Sequence, residues 1–279
     1  MKIAILISGR ITRYDVCLIN FLLNIRQLHE ADLFLSINDE NSECDYFQLM
    51  KKRLEQWIKG CEIKKYIIPT EIVDIFNPNE SIRKDYKIQV NLQNINNKFL
   101  PYNCLSMYYN DNNCFKMACN YAENNNFEYD LFLKYRSDII NNIVPDFSKV
   151  NCNEYNLHCV VPICNFISCG IFNKPIVSDA FAWGNKKTMS VYCNTYNYVL
   201  DKIKEYDGKY YVAFECSLTD NIYSNNLPIT YYKINYELDK NRRMFDDINI
   251  DTRKPIHNQT EFIKITDPRS KLFIDPCKE

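Results

Sequence analysis

DLFLKYRSDII (130–140) is the stretch that sets the fold class. Asp130, Leu131, Phe132, Leu133 and Tyr135 give about five residues of β-favouring, mostly apolar chain, which reads as a buried strand. The run ends in an Arg-x-Asp pair, so the strand delivers charge to its C-terminal edge, where open α/β sheets bind ligands. On an extended backbone Arg136 and Asp138, two apart, share one face. A carboxylate there can hold a divalent cation against a diphosphate, and a guanidinium can take phosphate oxygens in a bidentate way. The pair therefore suits a nucleotide-diphosphate ligand. It equally fits a plain surface ion pair at a strand end, a common and individually weak arrangement.

The N-terminus, KIAILISGR (2–10), repeats the pattern: an apolar strand that ends in Ser8, Gly9 and Arg10. Val16, Ile19, Leu22 or Leu23, and Arg26 follow at helical spacing, so the chain opens as β-turn-α. Glycine lets backbone approach a ligand closely, and the amides of the next helix start favour anions. A single glycine between strand and helix also serves as a simple turn. G-x-G-x-x-G and P-loop patterns are absent, which removes support for dinucleotide oxidoreductases and P-loop kinases.

A pass along the chain finds β-α alternation. ADLFLSIND (31–39) reads as a second strand, and Tyr46, Leu49, Met50, Leu54 and Trp57 mark a helix after it. EIKKYIIP (62–69) reads as a third strand, 77–97 as a polar, Asn-rich surface loop, and 103–124 as a helix leading into the 130–140 strand. HCVVPIC (158–164) reads as a strand. SDAFAWGNKKTMSVYCNTYNYV (178–199) reads as a strand or turn followed by a helix. The alternation predicts a largely parallel sheet covered on both faces. Within 178–199, Asp179 precedes Phe181, Trp183 and Gly184, a carboxylate with aromatic faces that could hold a sugar. The preferred reading places the two aromatics in the core.

Composition sets outer limits. A chain of 279 residues buries roughly three-quarters of its unfolded surface and builds one α/β domain without staples. A net charge of −1 and a pI near 6.3 give no general attraction to nucleic acid or membrane. A hydrophobic share of 46% and a mean hydropathy of −0.38 describe an ordinary soluble globule. No apolar run approaches the roughly 20 residues of a membrane span, and the first segment lacks a secretory cleavage pattern. Thirteen cysteines, an odd number with no C-x-x-C, fit neither a disulfide framework nor a zinc ribbon. The densest group, Cys152, Cys159, Cys164 and Cys169 beside His158, has irregular spacing. Reduced thiols in a cytoplasmic compartment are the expectation.

Four segments in order carry a resemblance: SGR near the start, NCLSMYYNDNNCFKMACNYAENNNFEYDLFLKYRSDI (103–139), SDAFAWGNKKTMSVY (178–192) and AFECSLTDNIY (213–223). Together they resemble a family of glycosyltransferase-like proteins with the GT-A fold, found in bacterial polysaccharide loci and in large DNA viruses. The resemblance spans most of 1–225. It implies a GT-A-like, Rossmann-related, mostly parallel sheet flanked by helices, in a single domain over 1–279. Residues 1–140 would form the nucleotide-sugar half and 141–279 the acceptor half. In that family an Arg-x-Asp stands in place of Asp-x-Asp, here Arg136 and Asp138. The D-x-F-A-x-G segment matches Asp179, Phe181, Ala182 and Gly184, and a later acidic residue matches Glu215. CSLTDNIY follows that Glu where the family more often has a Leu/His pattern.

The resemblance implies transfer of a sugar from a UDP- or GDP-linked donor to a glycan or protein acceptor. Ser8, Gly9, Arg10 and Arg136 would contact the donor, Asp138 would bind Mn²⁺ or Mg²⁺, and Asp179 or Glu215 would serve the acceptor hydroxyl. The implied setting is cytoplasmic, or the virion for a viral protein. No nucleic-acid partner or membrane span is expected, and a homo-oligomer is compatible. Two other classes stay open: a catalytically silent carbohydrate-binding or scaffold protein on the same fold, and a nucleotidyltransferase. The latter is disfavoured because no basic triphosphate-gripping motif follows the first strand.

Overall fold

The computed structural model describes residues 1–9, 22, 25, 29–38, 48, 51–52, 54–64, 101–137, 139–140, 147, 150–160, 176–206, 210, 212, 214–232, 237–238 and 264–266. Three strands open the described chain: β1 (Lys2–Gly9), β2 (Glu30–Asn38) and β3 (Ile58–Lys64). The long helix α1 (Pro101–Asn124) then leads into β4 (Leu131–Tyr135). The two-residue β5 (Ile139–Ile140), then β6 (Leu157–Val160) and β7 (Phe181–Gly184), precede helices α2 (Lys186–Cys193), α3 (Thr195–Glu205) and α4 (Phe214–Ser224). Last come β8 (Ile229–Tyr232), β9 (Glu237–Leu238) and β10 (Lys264–Thr266).

Among the described residues the main sheet has 8 strands in the order β10-β8-β6-β7-β4-β1-β2-β3. β3, β2, β1 and β4 run parallel, β7 reverses between β4 and β6, and β6 and β8 are again parallel to each other. β10 closes the far edge antiparallel to β8. The α/β class and the mostly parallel sheet flanked by helices are therefore as the sequence predicts.

Burial follows strand parity. On β1, Ile3, Ile5 and Ile7 join one apolar cluster with Leu33, Leu35, Leu131, Leu133 and Tyr135, capped by helical Leu22, Ile25 and Leu54. Ala4 and Leu6 point the other way and pack with Phe34 and Phe132 against Cys104, Tyr108 and Ala118 of α1. A strand buried on both faces must be apolar at almost every position, which is why these segments lack alternation. Phe181 and Trp183 are core, at 1% and 0% exposure. Trp183 packs edge-on to Phe147 and lies parallel to the His158 ring.

Some boundaries differ from expectation. The third strand begins at Ile58, earlier than the expected start at 62, and pairs with β2 through Gly60 and Cys61; the expected residues 65–69 lie outside the described residues. Gly60 is needed there because a Cβ would sit 2.9 Å from the Phe34 ring. The extended run of β4 stops at Tyr135, and β7 interrupts the parallel order. Cys61, Cys104, Cys114, Cys119, Cys152, Cys159 and Cys193 are free thiols. Cys216 is disulfide-bonded, which departs from the expectation of reduced thiols throughout. His158 Nδ1 lies 3.0 Å from the Tyr232 hydroxyl, and Cys164 and Cys169 lie outside the described residues. The expected loop at 77–97 lies outside the described residues. Among the described residues, no helix is long and apolar enough to cross a membrane.

Candidate functional site

The sheet order places a switch point between β1 and β4: the chain runs outward from β1 through β2 to β3, then returns to β4 on the other side. Ligands of open α/β sheets sit in the crevice beyond the strand ends at such a point. The residues that border it are Ser8 and Gly9 from β1 and Arg136 just past β4. The register pairs Ser8 with Ser36, and Ile7 with Tyr135, so Ser8 and Arg136 stand one step past the last β1–β4 pair.

Parity then decides what the crevice contains. Ser8 and Lys134 share the face of Leu6 and Phe132, which looks at α1. There Asp111 accepts a hydrogen bond from the Ser8 hydroxyl and lies 3.2 Å from Lys134 Nζ. Both partners of that ion pair are almost fully buried, at 1% and 5% side-chain exposure. Next to it Ser36 donates to Asn110 Oδ1 at 2.9 Å, and Asn110 Nδ2 reaches Asn38 Oδ1 at 3.3 Å. Asn110 and Asp111 thus turn polar groups of a buried helix toward the strand ends, while Asn112 Nδ2 donates to Cys193 O at the end of α2.

Arg136 and Asp179 meet across the β4–β7 junction, with Arg136 NH1 3.1 Å from Asp179 Oδ2. The antiparallel pairing of β7 with β4 makes this contact, because it returns the chain to the C-terminal edge just before Phe181. Arg136 N donates to Ala180 O at 2.9 Å, extending the ladder by one step. The bend at 177–180 is tied at every residue. Val177 N donates to Thr219 Oγ1, Tyr192 Oη to Ser178 O, and Lys134 Nζ to Asp179 O. Ala180 N donates to Ser178 Oγ. Thr219 in turn donates to Glu215 O at 2.6 Å, so the first turn of α4 is fastened to the same bend.

Electrostatics divide the acidic groups. Burial raises the Asp111 carboxyl, and Lys134 and the Ser8 hydroxyl pull it back. Glu215 is pushed up to about 7, first by burial and then by the Asp179 charge, with Arg136 opposing. Three carboxylates here face two cations, Lys134 and Arg136. Glu215 therefore exchanges its proton in the neutral range rather than in the ordinary carboxylate range. Tyr108, buried against this group, is held well above the ordinary phenol range, chiefly by burial.

The sequence-derived candidates are placed as follows. Arg136, Asp179 and Glu215 form one electrostatic group, although the sequence reading puts Arg136 with the donor and Asp179 apart with the acceptor. Ser8 borders the crevice, but its hydroxyl hydrogen is directed inward to Asp111. Gly9 adopts φ +84, a conformation that favours glycine, and among the described residues nothing lies within 4 Å of where a Cβ would stand. Gly9→Ala should destabilise the fold by about 1–2 kcal/mol, the cost of the left-handed region for an L residue, as read by chemical denaturation. Arg10 and Asp138 lie outside the described residues. Lys134 and Asp111 are not among the sequence-derived candidates. Their signal is a lysine inside an apolar strand and an acid inside a helix's polar run.

A divalent ion does not fit the described residues. Asp111 faces Lys134 and Asp179 faces Arg136, and among the described residues no three His, Cys, Asp or Glu side chains group to hold a metal.

No family model matches the chain, and no curated protein matches it. Among solved structures it is similar to the nucleoside-diphosphate-sugar pyrophosphorylase from Vibrio cholerae RC9. The identity is 12%, the match covers 83% of this chain and 91% of that one, and the TM-score is 0.41. A partial superposition of that kind fixes neither chemistry nor site.

Proposed function

We propose that the protein is a glycosyltransferase of GT-A-like architecture, which passes a sugar from a UDP- or GDP-linked donor to a hydroxyl of a glycan or protein acceptor. The observation that carries this reading is the group at the β4–β7 edge: a half-exposed guanidinium, Arg136, beside a carboxyl, Glu215, pushed up to about 7. Displacement with inversion at an anomeric carbon uses both, whereas retention would not need the base. The acceptor oxygen bonds to that carbon while the bond to the diphosphate oxygen breaks, and the diphosphate leaves with the electron pair. Arg136 would neutralise the charge growing on that oxygen. Glu215 would take the acceptor's proton, a role in which a pKa near the working pH gives the best compromise between ionisation and basicity. Asp179 orients the guanidinium and, by its own charge, keeps Glu215 basic.

The test is a panel of UDP, GDP and their sugar conjugates, each with and without Mn²⁺, read by thermal shift and calorimetry. A donor at 100 times its dissociation constant should stabilise the fold by about 2.7 kcal/mol. Acceptor-dependent release of nucleoside diphosphate then establishes transfer. Failure of every nucleoside diphosphate to bind would defeat the enzyme reading and leave the carbohydrate-binding scaffold in its place.

A further inference from the structure

The Lys134–Asp111 pair is the feature that the fold alone explains least. A buried ammonium and a buried carboxylate each lose several kcal/mol of hydration, and an apolar pair of similar volume generally serves a core as well or better. The face that Lys134 and Asp111 share is otherwise largely apolar: Leu6 and Phe132 lie beside the lysine on the sheet, and Tyr108, Cys114 and Ala118 stand one or two turns from Asp111 on α1. The contacts of the pair lead in one direction. Lys134 Nζ is 3.2 Å from Asp111 Oδ1 and 3.2 Å from the backbone oxygen of Asp179. Asp111 also receives the Ser8 hydroxyl. The ammonium therefore joins the middle of α1 to the bend that carries Asp179, and the Asp111 carboxylate extends the link to the end of β1.

We propose that Lys134 and Asp111 are positioning residues: Lys134 holds the Asp179 carbonyl, and through it the place where the Asp179 carboxylate meets Arg136 and Glu215, while Asp111 holds Lys134 to the β1 edge. Neither side chain has room to touch a ligand, since both are almost entirely covered. Their effect on chemistry is indirect, through a backbone oxygen at a turn. The kinetic part of this inference rests on the glycosyltransferase reading, whereas the placement of Asp179 beside Glu215 does not.

The experiment removes the pair without leaving an unpaired charge. Lys134→Met alone strands the Asp111 carboxylate and should lower Tm steeply. Lys134→Met/Asp111→Leu replaces both charges with apolar groups and should recover most of that Tm, and Lys134→Met/Asp111→Asn, which keeps an acceptor for Ser8, serves if the first double variant does not fold. In the folded double variant the Glu215 carboxyl is titrated by ¹³C NMR, its signal assigned with Glu215→Gln. Wild type should titrate near 7. With the Asp179 bend released, the proton affinity of Glu215 should fall by roughly tenfold or more, one pKa unit being a tenfold change. Turnover, where transfer has been shown, should fall about tenfold with donor KM moved far less. A double variant with recovered Tm and an unchanged Glu215 titration would overturn the positioning role, whatever its activity. Absence of transfer in wild type would overturn the glycosyltransferase reading and leave the titration to decide the positioning role by itself.

Discussion

Arg136→Ala should lower kcat/KM by about 10³–10⁵-fold and weaken nucleoside diphosphate binding by roughly 10–150-fold. The second figure corresponds to the loss of charge-assisted hydrogen bonds worth about 1.5–3 kcal/mol. The remainder is transition-state stabilisation, because charge on the leaving diphosphate grows as the sugar departs, and removal of one preorganised donor costs about 10²–10³ in rate. The structure adds a pH effect to this mutant. Arg136 is the cation that holds Glu215 down against burial and Asp179. Without it Glu215 rises above 7, and the acidic limb of the rate profile should move to higher pH. Asp179, at 6% side-chain exposure, also loses the guanidinium it faces. Arg136→Lys keeps a charge but not the planar fork, so it should fall between alanine and wild type. Unchanged donor affinity in Arg136→Ala, measured by calorimetry, would remove Arg136 from the donor site.

That Arg136 and Asp179 work as one group could not be seen in the sequence, where 43 residues separate them. The strands on either side were legible because burial on both faces demands continuous apolar runs, as in Ile3–Ile7 and Leu131–Leu133. The reversal of β7 was not, since antiparallel and parallel strands have the same local composition. Only that reversal carries Asp179 back to the end of β4. The start of β3 was missed for a different reason: its segment IKGCEIK carries two lysines and a glutamate, so its hydrophobic signal is weak. Lys134 shows a third kind of limit. Its charge within an apolar strand was visible, but its meaning depends on Asp111 lying above it, and helix–strand facing is fixed by tertiary packing rather than by period. Ser8, by contrast, was legible in place and only partly in role: its position at the β1 edge follows from the strand, while its bond to Asp111 follows from the helix.

Glu215→Gln should reduce turnover by about 10²–10⁴-fold while changing donor affinity little, because the amide keeps the size of the side chain and removes the site that accepts a proton. The same substitution should make the protein more stable at alkaline pH, and the sign follows from linkage. Glu215 has an ordinary value of 4.5 and stands at about 7 in the fold. Between those values the folded state holds a proton that the unfolded chain has released, so the folded state binds more protons and stability falls as pH rises. The loss begins near 4.5 and is complete above about 7, where it amounts to about 3 kcal/mol at roughly 1.4 kcal/mol per pKa unit. Chemical denaturation at pH 5 and pH 8 should therefore show a drop in wild type that is largely absent in Glu215→Gln. The two measurements separate the claims. Loss of the pH-dependent drop with turnover intact would place a strained carboxyl at 215 but move the base elsewhere, to Asp179. Loss of turnover with no change in the stability profile would mean that Glu215 is not held near 7 by burial and Asp179, and the electrostatic account of the site would fail with it.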